Sequence, residues 1–207
     1  MFFYNLPQIF MSESELKSYL KYYNLEDYLF DDIHNNFIKN KCLDDYEFFA
    51  IVCWKRKATA IKVAKRWNGE WNKDRLSIQD ITSKVYLEPD DMKKMEILKN
   101  INQVGVAIAS AILTVCYPEK FTIIDYRALN SLRKKEKKKC ENEKLPQKAE
   151  NFKIEDYINY NNICKEVWNK YCPSLRDFDR CLWTMDWCDG EKGLKEVVET
   201  YTKNLGK

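Results

Sequence analysis

The stretch from Leu98 to Leu132 restricts the fold more than any other part of the chain. A helix-forming run ends in Ile101-Asn102-Gln103-Val104-Gly105, and an Ala-rich apolar run leaves Gly105 at once. A short loop ending in Ile123-Ile124 then delivers one carboxylate, Asp125, ahead of another helical pattern that starts Tyr126-Arg127-Ala128-Leu129. A turn of this kind points the backbone N–H groups of Gln103, Val104, Gly105, Val106 and Ala107 outward. Together with the positive end of the next helix, they are suited to holding a phosphate. An acid just beyond that helix is placed to act on the sugar beside the phosphate. Both features also have a plain reading. Glycine suits any helix–helix turn, and an aspartate heading a helix serves as its N-cap.

The remainder is helical in pattern as well. Only 5 Gly and 5 Pro occur in 207 residues, with many Lys, Glu, Leu and Ala, so an all-α fold is expected rather than a sandwich or barrel. The spacing predicts helices over 12–23, 26–38, 44–54, 58–67, 77–86, 90–101, 105–117, 125–134, 154–171, 174–187 and 191–204. A turn is expected over 68–72, and Gly190 is expected to separate the last two helices. The domain reading is a single two-lobed unit: an N-terminal lobe over 1–88, the turn and aspartate segment over 89–133, a basic surface loop over 134–152, and C-terminal helices over 153–207. No apolar run approaches membrane-spanning length, and Met1-Phe2-Phe3-Tyr4 has neither basic leader nor cleavage site. A cytoplasmic protein with no membrane partner is the expectation.

The order and spacing of the turn and the acid resemble the helix-hairpin-helix DNA glycosylase superfamily, which contains endonuclease III and the 8-oxoguanine glycosylases. Those proteins carry a Leu-Pro-Gly-Val-Gly hairpin, a helix, and an aspartate about twenty residues after the second glycine. Asp125 stands twenty positions after Gly105. Three positions depart from the pattern: Gln103 replaces the first glycine, Ala107 replaces the lysine of lyase-competent members, and Arg127 replaces a common histidine. A looser resemblance to uncharacterised bacterial members runs through Trp54-Lys55, Val104 to Leu113, Ile124 to Leu129, and Leu175-Arg176-x-x-Asp179-Arg180-x-Leu182-Trp183.

The resemblance implies a two-lobed, all-α glycosylase-like fold acting on duplex DNA without a cofactor. Asp125 is then the catalytic carboxylate, stabilising positive charge on the deoxyribose as the base departs and orienting the attacking water. Alanine at 107 implies a monofunctional hydrolysis that leaves an abasic site. Tyr126 and Trp54 are candidates for the base pocket, since a flipped base needs aromatic walls. Lys55 beside Trp54 belongs to the same pocket and is the one alternative amine nucleophile, although a Trp-Lys pair on a helix commonly packs its ring and lets the lysine reach solvent. Arg127, Arg133, Lys134 and Lys135 join the 103–107 turn as backbone contacts, and Arg127 is also a candidate partner for Asp125.

Charge and cysteine usage narrow the alternatives. The net charge of +3 divides into −5 over residues 1–50 (4 basic, 9 acidic), +10 over 51–139 (20 basic, 10 acidic) and −2 over 140–207 (11 basic, 13 acidic). The basic segment holds the turn and Asp125, as a phosphate-binding surface requires. Run 133–139 has six basic residues in seven, and it reads equally as a phosphate contact or a solvated loop. The only histidine, His34, lies in an acidic, surface-like stretch, which leaves no histidine triad. No Cys-x-x-Cys pair occurs among the 8 cysteines, and Cys164, Cys172, Cys181 and Cys188 are spaced too widely for the usual metal pattern, so no metal is expected. Two non-catalytic readings remain open: a DNA-binding module on the same fold, and a helical interaction domain whose basic face meets an acidic partner.

Overall fold

The computed structural model describes residues 25–64, 76–146 and 152–190, and every regular element within them is helical. The helices expected over 12–23 and 191–204 and the turn over 68–72 lie outside the described residues.

The chain enters through a helical run, α1, made of Leu25–Asp27, a π-helical segment Tyr28–Ile33 and His34–Asn40. Then follow α2 (Asp45–Lys55), α3 (Lys57–Ala64), α4 (Ile78–Leu87), α5 (Asp91–Lys99), α6 (Val106–Cys116), α7 (Tyr126–Lys135), α8 (Lys137–Asn142), α9 (Ile154–Val167) with a 3-10 turn Trp168–Lys170, and α10 (Leu175–Gly190). Their starts follow local chemistry. Asp44 and Glu47 form a reciprocal capping box on α2, and Ser77 and Asp80 form another on α4. Asp90 caps α5 by accepting the Lys93 N–H at 2.8 Å, and Asp125 caps α7. Arg56, with φ −157° and ψ 88°, separates α2 from α3 in the gap that the spacing leaves between 54 and 58.

The apolar run after Gly105 becomes the centre of the molecule. Every residue of α6 except Ala107 is buried, which suits a helix that is apolar all round. It is surrounded by α1, α2, α5 and α9, while α7 packs along α10. His34 is not a surface residue: its Nδ1 lies 3.2 Å from both the Val115 and Cys116 carbonyls, in the last turn of α6. There it satisfies carbonyls that a helix end leaves unpaired. Lys94 does the same for α4. It is buried, and its Nζ donates to Val85 O at 2.6 Å and to Glu88 O. Burial, with Lys120 nearby, pulls its pKa down. Within the expected loop, residues 137–142 instead form α8, because Cys140 and Leu145 are buried and fasten this segment to the core. Among the described residues no helix is long and apolar enough to cross a membrane.

Candidate active site

Asp125 is held in an extended conformation at the head of α7, where its Oδ1 accepts the Ala128 N–H at 3.0 Å. The N-cap reading is therefore correct, but it occupies one oxygen only. The other, Oδ2, accepts from Lys55 Nζ at 3.0 Å, and both side chains are mostly shielded, 13% and 20% exposed. Lys55 is the last residue of α2, so two elements remote in sequence meet at this pair.

The loop that delivers Asp125 is clamped through three successive N–H groups, each taken by a side chain from a different helix. Thr122 N–H goes to Asn161 Oδ1 of α9 at 2.9 Å, Ile123 N–H to Asp179 Oδ1 of α10 at 3.0 Å, and Ile124 N–H to Ser110 Oγ of α6 at 3.2 Å. Ser110 also donates to Ala107 O at 2.9 Å, so the first turn of α6 is tied to the aspartate loop. Phe121 to Ile124 are all buried, and a buried segment outside any helix has no regular ladder to satisfy its donors. These polar side chains do that work.

The Lys55–Asp125 pair lines a cavity of about 500 Å³, together with Glu26, Trp54, Arg176, Asp179 and Trp183. Its polar side is one network. Arg176 donates to Asp179, and to Glu26 at 2.5 Å, while Arg180 reaches Glu26 at 2.9 Å. The Arg176 guanidinium lies 4.3 Å from the Phe30 ring centre and 5.6 Å from that of Trp54. Its Nε is buried with no hydrogen-bond partner among the described residues. Burial pushes the Asp179 carboxyl up to about 6, against the pull of Arg176, the Ile123 N–H and Lys55, with a further push from Asp125. A concave site with aromatic sides, a few convergent polar groups and one perturbed carboxyl is the usual form of a small-ligand or catalytic site.

The structure brings Trp54, Lys55 and Asp125 together in this cavity and leaves the other expected residues outside its lining. Tyr126 is half exposed. Arg127 pairs with Asp186 at 3.9 Å rather than with Asp125, whose cation is Lys55. In the turn, Val104 and Val106 bury their side chains, Gln103 and Gly105 are exposed, and Ala107 is half-buried. The left-handed position is Gln103 (φ 71°), where the resemblance places the first glycine; Gly105 is extended (φ −91°, ψ 176°) and gives α6 no side-chain cap. Arg133, Lys134, Lys137 and Lys144 line a second, shallower cavity of about 470 Å³ at the far end of α7.

Glu26 and Asn161 lie outside the motifs read from the sequence, while Ser110, Arg176 and Asp179 stand within the looser resemblance but received no site role there. For α10 a signal exists: Arg176, Asp179, Arg180 and Trp183 recur at helical spacing opposite the buried Phe178 and Leu182. Among the described residues no group of three or more His, Cys, Asp or Glu side chains is placed to hold a metal. Cys164 is buried, while Cys172 and Cys181 bring their sulfurs within 3.6 Å as free thiols.

No family model matches the chain, and no curated protein matches it. Among solved structures, the chain is similar to an 8-oxoguanine glycosylase/lyase of Methanocaldococcus jannaschii, crystallised with a 15mer DNA containing 8-oxoguanine. The two share 16% sequence identity over 81% of this chain and 93% of that one, with a TM-score of 0.43, a likeness too loose to transfer the role of any residue.

Proposed function

We propose that the protein is a DNA N-glycosylase that receives a damaged or modified base in the 500 Å³ cavity and releases it by hydrolysis, with Asp125 as the catalytic carboxylate. The observation that carries this reading is the way Asp125 is fixed: α7 anchors one oxygen, three helices hold its loop, and the second oxygen accepts from Lys55 in a cavity that Trp54, Lys55 and Asp125 all line. As the bond from C1′ to the base nitrogen lengthens, positive charge grows on the sugar, and a fixed carboxylate in a shielded site stabilises it. Water attacks C1′, its proton passes to Asp125, and the base leaves with the bonding pair. The 103–107 turn and the cations of α7 hold the DNA backbone, and Tyr126 and Arg127 shape the rim. With alanine at 107, no amine stands where the resemblance puts one, so the product is an abasic site.

Lys55 sets a condition on this chemistry. An ammonium 3.0 Å from Asp125 neutralises the carboxylate, so substrate must draw it away, onto a phosphate, before Asp125 meets the developing cation with full charge. The same distance favours a second reading, in which Lys55 gives its proton to Asp125 and attacks C1′ as an amine. The base departs with the bonding pair, the C1′–O4′ bond then opens with O4′ taking a proton from the attached amine, and an imine to the ring-opened sugar remains.

A duplex carrying a cationic pyrrolidine abasic mimic, compared with its neutral tetrahydrofuran counterpart, tests the first reading. Wild type is expected to bind the cation at least about tenfold more tightly, and Asp125→Asn to lose that preference while keeping general DNA affinity. Equal, salt-sensitive binding to both duplexes in wild type would instead identify a non-catalytic DNA-binding module. Borohydride treatment with abasic DNA separates the two chemistries: a covalent adduct that disappears in Lys55→Met supports the amine, and no adduct supports water.

A further inference from the structure

Beside the cavity, α7 and α10 expose an unusual combination of side chains. Tyr126 is 50% exposed and Trp183 is 41% exposed, and Trp183 also lines the cavity. The Arg127 guanidinium lies 5.1 Å from the Tyr126 ring centre and 5.5 Å from that of Trp183, and the Trp183 ring is followed by Trp187 at 5.6 Å, tilted by 32°. Three rings and one planar cation thus form a continuous aromatic rim. Exposed rings in a cluster lose the hydrophobic gain of burial, and such clusters mark contact surfaces.

The rim continues into positive charge. The sequence of α7, Tyr-Arg-Ala-Leu-Asn-Ser-Leu-Arg-Lys-Lys, contains no acid. Its exposed row runs Tyr126, Asn130, Lys134 at four-residue steps, and Lys134 is about 10 Å along the axis from Arg127 at 1.5 Å per residue. The row ends at the 470 Å³ basic cavity. Acids do approach it: Asp186 pairs with Arg127 at 3.9 Å, and Glu141 lies 3.8 Å from Lys137. The net excess at the far end is still cationic. Rings at one end of a track and cations along the other is what a strand with unstacked bases requires, whereas an intact duplex offers phosphates but hides its base faces.

We propose that the α7–α10 rim binds an unpaired stretch of a DNA strand, with bases stacking on Tyr126 and Trp183 and phosphates following α7 to the basic cavity. The substrate of the cavity is then a nucleotide presented from a bubble, loop or strand end. This rests on the glycosylase reading for the cavity, but the rim and its test stand apart from it. Stacking on an aromatic platform is tolerant of sequence, so the preference concerns pairing state and not base identity.

The test uses the full chain and one lesion-free 20-nucleotide sequence in three forms: single strand, duplex with a central bubble, and complete duplex. Fluorescence anisotropy at fixed salt is expected to give affinities for the first two at least about tenfold above the complete duplex. Tyr126→Ala and Trp183→Ala should each weaken the unpaired forms about fivefold or more and change the duplex little, and Trp183→Phe should restore most of the loss. Equal or tighter binding to the complete duplex overturns the proposal, as does a Trp183→Ala loss that Trp183→Phe does not rescue. A bubble preference without any preference for the pyrrolidine mimic would remove the glycosylase reading and keep the rim. The reverse pattern would remove the rim alone.

Discussion

Gln103 holds a backbone conformation that side chains with a Cβ adopt at a cost. At φ 71° it lies in the left-handed region, where a non-glycine residue is destabilised by about 1–2 kcal/mol. Gln103→Gly removes that strain and loosens the unfolded chain, so thermal unfolding should show a variant equal to wild type or up to about 1 kcal/mol more stable. Gly105 needs no such freedom, since its φ is −91° and a Cβ there would meet nothing within 4 Å. Gly105→Ala should therefore leave the melting temperature within a degree or two of wild type. A loss above about 2 kcal/mol would mean that the turn is shaped differently. Asp179 offers a second test at this scale. Its folded pKa, about 6, stands above the ordinary 3.8, so the folded state binds the proton more tightly than the unfolded chain. The associated stability is fully present below about 3.8 and is lost as pH rises through about 6. Denaturant midpoints should fall between pH 4 and 7 more steeply in wild type than in Asp179→Asn, which keeps an oxygen for the Ile123 N–H. Parallel pH profiles would show that Asp179 titrates normally.

At the scale of elements, Asp125 is only as well placed as the loop beneath it. Ser110→Ala leaves the buried Ile124 N–H without its acceptor, and Asn161→Ala does the same for Thr122. Each should cost about 1–3 kcal/mol of stability. On the proposed glycosylase reading the shifted carboxylate should slow base release more than the affinity for abasic duplex falls; equal losses of both would place the effect in binding alone. These helices also show what sequence pattern reveals. The spacing marked the starts of α2 and α4 at 44 and 77, the aspartate heading α7 marked its cap, and the apolar run after Gly105 marked α6, since these signals are local. The partner of Asp125 was harder to read. Lys55 stands seventy positions upstream, and only packing of α2 against α6 brings it there. Ser110 and Asn161 look like ordinary polar residues within helices, because their roles depend on a loop that another part of the chain supplies. α8 escaped notice for a related reason: its lysine-rich sequence reads as solvated, and the two side chains that anchor it, Cys140 and Leu145, are too few to make a pattern.

For the molecule as a whole, the uneven charge decides what kind of partner can be held. The middle segment carries +10 against −5 before it and −2 after it, and α7, the first half of α8 and the 103–107 turn belong to the basic part. A nucleic acid bound by such a surface releases condensed counterions, so log affinity falls linearly with log salt, by about 0.9 for each phosphate neutralised on duplex and about 0.7 on single strand. An acidic protein partner has no condensed ion layer of that density and gives a much shallower line. Replacing Lys134 and Lys135 with Gln should flatten the slope by nearly two units on complete duplex and by about one and a half on an unpaired strand. The same double variant should leave the pyrrolidine preference intact, because neither lysine lines the cavity that holds Asp125. A shallow wild-type slope, unchanged by the double variant, would assign the basic face to a protein partner and leave the Lys55–Asp125 cavity as a site for a free small molecule.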